Sequence, residues 1–316
     1  MTVPQHVPVL PQQVLDLLDI KPGGVYVDAT LGLAGHATAI ARRLGAAGTL
    51  IAFDRDPQAM ILARERLSEL RDELGSAMPQ VRLIERAFST AGEEIAPGSL
   101  DGVLADFGVS SLQLDEAHRG FSFRQDAPLD MRMDTREGVT AGQVVNQMDE
   151  EELADLIYEF GEERRSRRIA RAIVRARPIL TTAELAKVVS VAAPAMKGDK
   201  LHPATLTFQA IRIHVNDELG EIRSLLESAP SLLKRGGRLV LISFHSLEDR
   251  QVKDALRDGA KQGIWEVLTR KPVVADEEEQ RRNPRSRSAK LRAAIRTEPQ
   301  KVSRIAPEGG SLRGRR

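Results

Sequence analysis

Cysteine is absent from the 316 residues. That excludes disulfides, thiolate metal sites and a cysteine nucleophile. Aromatic residues are scarce, 3% of the chain, against 41% hydrophobic residues, so a core must be built mainly from Leu, Val, Ile and Ala. No apolar run approaches the ~20 residues of a membrane span. The opening MTVPQHVPVL lacks the charged and apolar regions of a secretory signal. The expectation is a cytoplasmic protein with no membrane partner. Net charge is also nearly absent, +1 at pH 7, but it is unevenly spread: residues 281–316 hold 12 Lys and Arg against 2 Asp and Glu, leaving 34 basic and 43 acidic residues for the remainder. A basic tail on an acidic body predicts an anionic partner, most simply nucleic acid. A solvated terminus would share that composition.

What is present first is an alternation of strands and helices. Val7 to Leu18 reads as a short helix whose lead-in is held extended by Pro4, Pro8 and Pro11, with His6 as a local hydrogen-bonding residue. Strands are expected at Val25–Thr30, Gly48–Asp54, Val81–Phe88 and Asp101–Ala105, with amphipathic helices between them. This is the pattern of a doubly wound, mostly parallel α/β sheet. Such sheets bind ligands outside the carboxyl ends of their strands, which is where Asp28, Asp54, Phe88 and Asp106 fall. The turn after the first strand carries only Gly32 and Gly35, short of a full G-x-G-x-x-G. Asp54 lies about 20 residues further on, where an acid reaches ribose hydroxyls. Phe88 is placed to stack on an adenine, or simply to fill core. Asp56 is expected to cap the helix that begins at Pro57.

The stretch LADFGVSSLQ, Leu104 to Gln113, is read as a strand breaking into a loop. Asp106 could take a hydrogen bond or a proton from an amine, with Ser110 and Ser111 beside it. Gly108 would let backbone approach a flat substrate. Ordinary turn chemistry also uses Asp, Gly and Ser.

From Leu114 the periodicity lapses into a charged loop with Phe and Met, then helical patterns follow at Ala141–Gln147, Asp149–Phe160, Glu163–Arg177 and Thr182–Val191. Arg164, Arg165, Arg167, Arg168, Arg171 and Arg175 form one basic face, suited to phosphates or to solvent. His202 to Pro230 reads as one or two helices, and Arg238–Phe244 as an apolar strand. After it, Ser246 is expected to cap a helix with Asp249 completing an approximate capping box, leaving His245 to touch substrate. Near the end, Arg285, Arg287, Lys290 and Arg292 suit phosphate binding, with Ser286 and Ser288 as helpers. The implied division is a sheet domain at 1–113, an inserted helical domain at 114–216, the rest of the sheet domain at 217–298 and a flexible basic tail at 299–316.

Seven blocks of the chain, HVPVL, DATLGLAGH, FDRDPQA, DFGVSSLQLDEAHRGFSFRQDAPLDMRMD, HPATLTFQAIRIHVNDEL, ISFHSLEDR and NPRSRSAKLR, resemble in order the bacterial RsmH (MraW) family. That family consists of S-adenosylmethionine-dependent methyltransferases that act on N4 of a cytidine in the decoding region of 16S ribosomal RNA. The resemblance implies a class I methyltransferase fold with an inserted helical domain, S-adenosyl-L-methionine as cofactor, no metal, and 16S rRNA in the small ribosomal subunit as partner. It implies that Ala34, Gly35, His36, Asp54, Phe88, Asp106 and Gln113 contact the cofactor. The family usually has glycine where this chain has Ala34, which costs about 1 kcal/mol if the position needs positive φ. The chemistry agrees: an acceptor such as Asp106 or Ser110 would orient a cytosine amine and disperse its developing charge. The lack of cysteine disfavours C5 methylation of a pyrimidine and favours an exocyclic nitrogen or an oxygen. Monomer and homodimer both stay open. Two other readings are a nicotinamide-dependent oxidoreductase using Gly32, Gly35 and Asp54, which the missing third glycine disfavours, and a non-catalytic RNA-binding assembly factor, which the intact Asp106 loop disfavours.

Overall fold

The computed structural model describes residues 8–196, 198 and 201–297; His6 and the 299–316 tail lie outside the described residues. Short apolar runs form the strands β1 (Val25–Asp28), β2 (Thr49–Phe53), β3 (Gln80–Ile84), β4 (Leu100–Asp106), β5 (Leu233–Ser243), β6 (Trp265–Val267) and β7 (Lys290–Arg296). They make one sheet in the order β3-β2-β1-β4-β5-β7-β6. The first five are mutually parallel, and β7 runs antiparallel to both β5 and β6. The near-continuous apolar reading of β2 and β4 follows from burial on both faces.

The helices cover the sheet by alternation of side chains. On one face Tyr26, Leu50, Leu104 and Val240 meet α1 (Pro11–Leu18), α2 (Gly35–Leu44) and α3 (Pro57–Leu74). Their strand neighbours Val27, Ile51, Val103 and Leu239 point the other way, as a period of two requires. After a one-turn α4 (Ala91–Glu94), the chain leaves β4 through α5 (Ser111–Asp115). It then builds α6 (Ala141–Gln147), α7 (Glu150–Gly161), α8 (Ser166–Ala176), α9 (Thr182–Ala192) and α10 (Thr205–Asn216). These pack around their own apolar cluster, centred on Leu153, Ile157, Ile169 and Ile211. The chain returns in α11 (Glu218–Leu232) and α12 (Ser246–Lys261), which cover the second face with Ile222, Leu225, Val252 and Leu256, and ends with α13 (Glu277–Arg282) and β7.

β7 corrects the sequence reading. The segment expected as an open phosphate grip is in part a sheet strand, with Arg292 paired to Leu241 in register. Leu291, Ala293 and Ala294 are buried. The Arg292 side chain is 8% exposed and gives its guanidinium to Asp249 at 2.7 Å. It is therefore unavailable to a phosphate. The helix-cap reading at the end of β5 also changes: His245, not Ser246, is the N-cap of α12, with Glu248 closing the box, while Asp249 holds Arg292 and Lys290.

One buried ion pair fastens the loop after α5 to the sheet. Asp56 caps α3, accepting from the Gln58 amide at 3.1 Å. Its other oxygen accepts from Arg119 at 2.9 Å and from the Gln113 amide at 2.9 Å. Arg119 and Asp56 are only 3% and 1% exposed, and the same guanidinium nitrogen reaches the carbonyls of Arg132 and Met133. Removing one partner of such a pair leaves an uncompensated buried charge. Arg119→Leu is expected to lower unfolding free energy by roughly 3–5 kcal/mol, measured by denaturant titration followed by circular dichroism.

Candidate active site

The carboxyl ends of β1, β2 and β4 open into one cavity of about 300 Å³, whose lining includes Gly32, Gly35, His36, Asp54, Phe88, Asp106, Ser110 and Gln113. The turn after β1 is shaped by left-handed backbone at Gly32 (φ 50°) and at Ala34 (φ 57°). Ala34 is fully buried in the core and stands behind the wall, whereas Gly35 and His36 face the cavity. The positive φ at Ala34 costs about 1 kcal/mol, as expected for an alanine in a glycine conformation.

Asp54 follows β2 and braces that turn, accepting from the Gly32 amide at 2.7 Å and from the Asp56 amide at 2.9 Å. Burial pushes its carboxyl up to about 6, against the pull of those two amides and of Arg55. Asp28, at the end of β1, is likewise pushed up to about 6, chiefly by burial and against the pull of His36. Phe88 is not the end of a strand: β3 stops at Ile84, and Phe88 opens a single 3-10 turn. Its ring sits 6.0 Å from that of Phe107, tilted by 42°, and both rings line the cavity.

Asp106 ends β4. Its amide donates to the Thr30 hydroxyl at 2.7 Å, and its carboxylate lies 3.6 Å from His36 Nε2. Ser110 is the N-cap of α5 in a full capping box: its hydroxyl accepts from the Gln113 amide at 3.3 Å, and Gln113 Oε1 accepts from the Ser110 amide at 3.0 Å. The Ser110 oxygen is thus tied to the helix start while its proton stays free to donate. Gln113 spends its amide NH₂ on Asp56, so its place in the wall is fixed from both ends.

The far end of the cavity holds Arg212 and Glu218, which the sequence reading took simply as helix, and Glu248, from the polar cluster that follows β5. Arg212, half-buried on α10, forms a two-pronged pair with Glu218 at 2.7 and 2.8 Å. Glu248, fully buried on α12, accepts from the Phe244 amide at 2.7 Å, and its other oxygen lies 3.2 Å from His245 Nε2. A cue was present in HVNDELGE and SFHSLED, where charges interrupt otherwise apolar faces. Glu218, His245 and Glu248 present oxygen and nitrogen atoms within 4.8 Å of one another. His245 Nδ1 accepts from the Glu248 amide and is spent on capping α12, while Nε2 and the facing Glu248 Oε1 have no hydrogen-bond partner among the described residues. Of the basic residues assigned to substrate, Arg285 lines the cavity rim and pairs with Asp115 at 2.9 Å. Arg287 is exposed, and Lys290 is partly exposed beside Asp249. Arg292 is the buried exception already described.

The model of the MraW methylase family matches residues 4–297. The chain belongs to this family. It is similar to proteins named Ribosomal RNA small subunit methyltransferase H. One from Acidobacterium capsulatum is 71% identical over 290 residues, 92% of this chain and 98% of that one. Relatives of the same name from Koribacter versatilis and Solibacter usitatus are 61% and 52% identical, covering 92% and 91% of this chain and 94% and 98% of theirs. The strand order and the antiparallel β7 give this member of the family a class I, Rossmann-like methyltransferase sheet.

Two stability measurements follow from this geometry. Asp28 has a folded carboxyl raised above its unfolded value, so the folded state binds the extra proton between about pH 4 and 6. Stability therefore falls across that window as pH rises and is level above it. Asp28→Asn, which can keep the bond from the Thr30 amide, is expected to remove the Asp28 share of this fall, leaving the share that the equally raised Asp54 contributes, and to stabilise the protein at pH 7.5 by about 2–3 kcal/mol, read by denaturant unfolding at a series of pH values. Ser110→Ala should cost about 1 kcal/mol through the lost cap in the same assay.

Proposed function

We propose that this chain transfers a methyl group from S-adenosyl-L-methionine to N4 of a cytidine in the decoding region of 16S ribosomal RNA within the small ribosomal subunit. The observation that carries the reading is the shared cavity: Asp54 and Asp106 stand at the ends of β2 and β4, the two strands that flank β1 and its glycine turn, inside a chain of the MraW family.

The residues present fit the cofactor. Each Asp54 oxygen uses one lone pair on a backbone amide and keeps another for a ribose hydroxyl. Phe88 offers a ring face to an adenine, and Gly35 brings backbone close without a side chain. Gly35 and His36 open α2, where unpaired amides favour electron-rich groups. Ala34 supports this turn from behind through its backbone. When bound, S-adenosylmethionine supplies an electrophilic methyl group on a sulfonium sulfur.

The cytosine amine is a weak nucleophile because its lone pair is delocalised into the ring. Alignment is the larger part of the task. Asp106, with one buried oxygen lacking a hydrogen-bond partner among the described residues, can accept from an amino hydrogen, hold the lone pair toward the methyl and stabilise the charge that develops on nitrogen. Ser110 can donate to the base's acceptor edge. Arg285 and Arg287, with the exposed Arg164, Arg167 and Arg168, supply sequence-independent contacts to phosphates. The target base must leave its stack to enter.

The test is incubation of the purified protein and labelled cofactor with small subunits that lack the modification. Label at N4 of a single cytidine is expected, and its absence overturns the reading. Asp106→Asn should lower turnover by about 100-fold or more, and Ser110→Ala by less. Equal losses would show that the two share the work.

A further inference from the structure

His36 is 6% exposed, and neither ring nitrogen has a hydrogen-bond partner among the described residues. Asp106 Oδ1 and Asp28 Oδ2 are buried and equally without one. Four orphan polar atoms on three adjoining side chains are costly and call for an explanation. The three residues come from separate elements: Asp28 ends β1, His36 stands in the first turn of α2, and Asp106 ends β4, the strand paired with β1. His36 Nε2 lies 3.6 Å from Asp106 Oδ2. That is slightly too long for a hydrogen bond and within reach of one after a small rotation.

We propose that the His36 ring is a positioning and proton-accepting partner of Asp106, taking on the proton released by the methylated amine, with Asp28 as the anion that steadies the resulting imidazolium. The inference rests on the methyl-transfer reading above, and it gives the histidine side chain a task separate from holding the cofactor. In the step, the amine lone pair forms the nitrogen–carbon bond while the electron pair of the carbon–sulfur bond stays on sulfur. Nitrogen then carries a positive charge and one hydrogen too many. That proton passes to the Asp106 carboxylate and from it to His36 Nε2, restoring Asp106 as an anion and leaving a neutral methylated amine. The imidazolium so formed is attracted to Asp106 and to Asp28 and returns its proton to water.

The groups that act here are Asp106 from β4 and Asp28 from β1, with Asp54 beyond β2 acting on Asp28. Burial, opposed by His36, holds the Asp28 carboxyl up near 6, so Asp28 is an anion at neutral pH at a cost in stability. A buried carboxylate that destabilises the fold is understandable where it serves a neighbour's charge.

Two experiments test this, one of them without turnover. With histidine-selective ¹³C labelling, the His36 ring is titrated by NMR in the full chain and in Asp106→Asn and Asp28→Asn. Each variant removes a facing anion, so the His36 midpoint should move to lower pH in both. A midpoint that stays in place in both overturns the coupling.

In single turnover at saturating cofactor, His36→Asn should slow methyl transfer at pH 7 by about 10-fold or more. Its rate should recover as pH rises and solvent takes over the proton, while the calorimetric Kd for S-adenosylhomocysteine changes by less than about threefold. A loss that appears only in Kd, with the wild-type pH profile retained, assigns His36 to cofactor binding alone and overturns the inference. His36→Gln, checked by circular dichroism, serves the same comparison should the asparagine variant misfold. Wild-type protein that labels no subunit RNA overturns the methyl-transfer reading itself, which the variants' behaviour cannot do.

Discussion

The site depends on the buried pair between Asp56 and Arg119. Asp56 does three things with two oxygens: it starts α3, anchors Gln113, and neutralises Arg119. Arg119 in turn gathers the carbonyls of Arg132 and Met133, and Asn216 receives the Met133 amide and donates to the Met131 carbonyl. A loop of more than a dozen polar residues is thereby pinned against the sheet through one charge pair and a handful of backbone groups. Its desolvation cost is high, but the pair determines how the loop sits. Without it, the loop would keep the Ser110–Gln113 capping box and the Asn216 contacts but lose its buried charged anchor to the start of α3.

The cavity shows a division of labour between strand ends. Asp54 is tied by two amides and held rigid, as suits a residue that grips. Asp106 and Asp28 each keep one oxygen with no hydrogen-bond partner among the described residues. Ser110 and Gln113 belong to the first kind, since the capping box fixes both. Burial raises the carboxyls of Asp28 and Asp54 alike, so the two differ in their hydrogen bonding and not in their charge environment.

Much of this was legible in the residues. The βα alternation up to Asp106, the helix over Ala141–Gln147 and the cap at Asp56 follow from local periodicity and turn chemistry, which a single chain displays directly. Placement of Asp54 and Asp106 at one end of the sheet follows from topology alone. What escaped depended on long-range pairing. β7 looked like a basic tail because its arginines dominate the eye, yet Leu291, Ala293 and Ile295 alternate with them. The partner of Arg292 lies 43 residues earlier, beyond any local pattern. His245 rather than Ser246 caps α12 because the backbone leaves β5 one residue sooner than the serine suggested. The burial of Arg212 and Glu248 is invisible from helical spacing, since only the folded cavity shows that both point inward. Ala34 illustrates the reverse: the sequence singled it out correctly as a strained position, but its methyl faces the core rather than the ligand.

One strand of the sheet is inserted between two that are synthesised before it. β7 lies between β5 and β6 and is made after both. Until Lys290 to Arg296 have left the ribosome, β5 presents a bare, apolar edge to the surroundings, a template for pairing with another unfinished chain. A nascent polypeptide stalled or cleaved just before this segment would hold most of the apolar core and every strand-end carboxylate, yet be more prone to aggregate than to fold. The seven residues Lys290–Arg296 thus complete the sheet by covering the edge of β5.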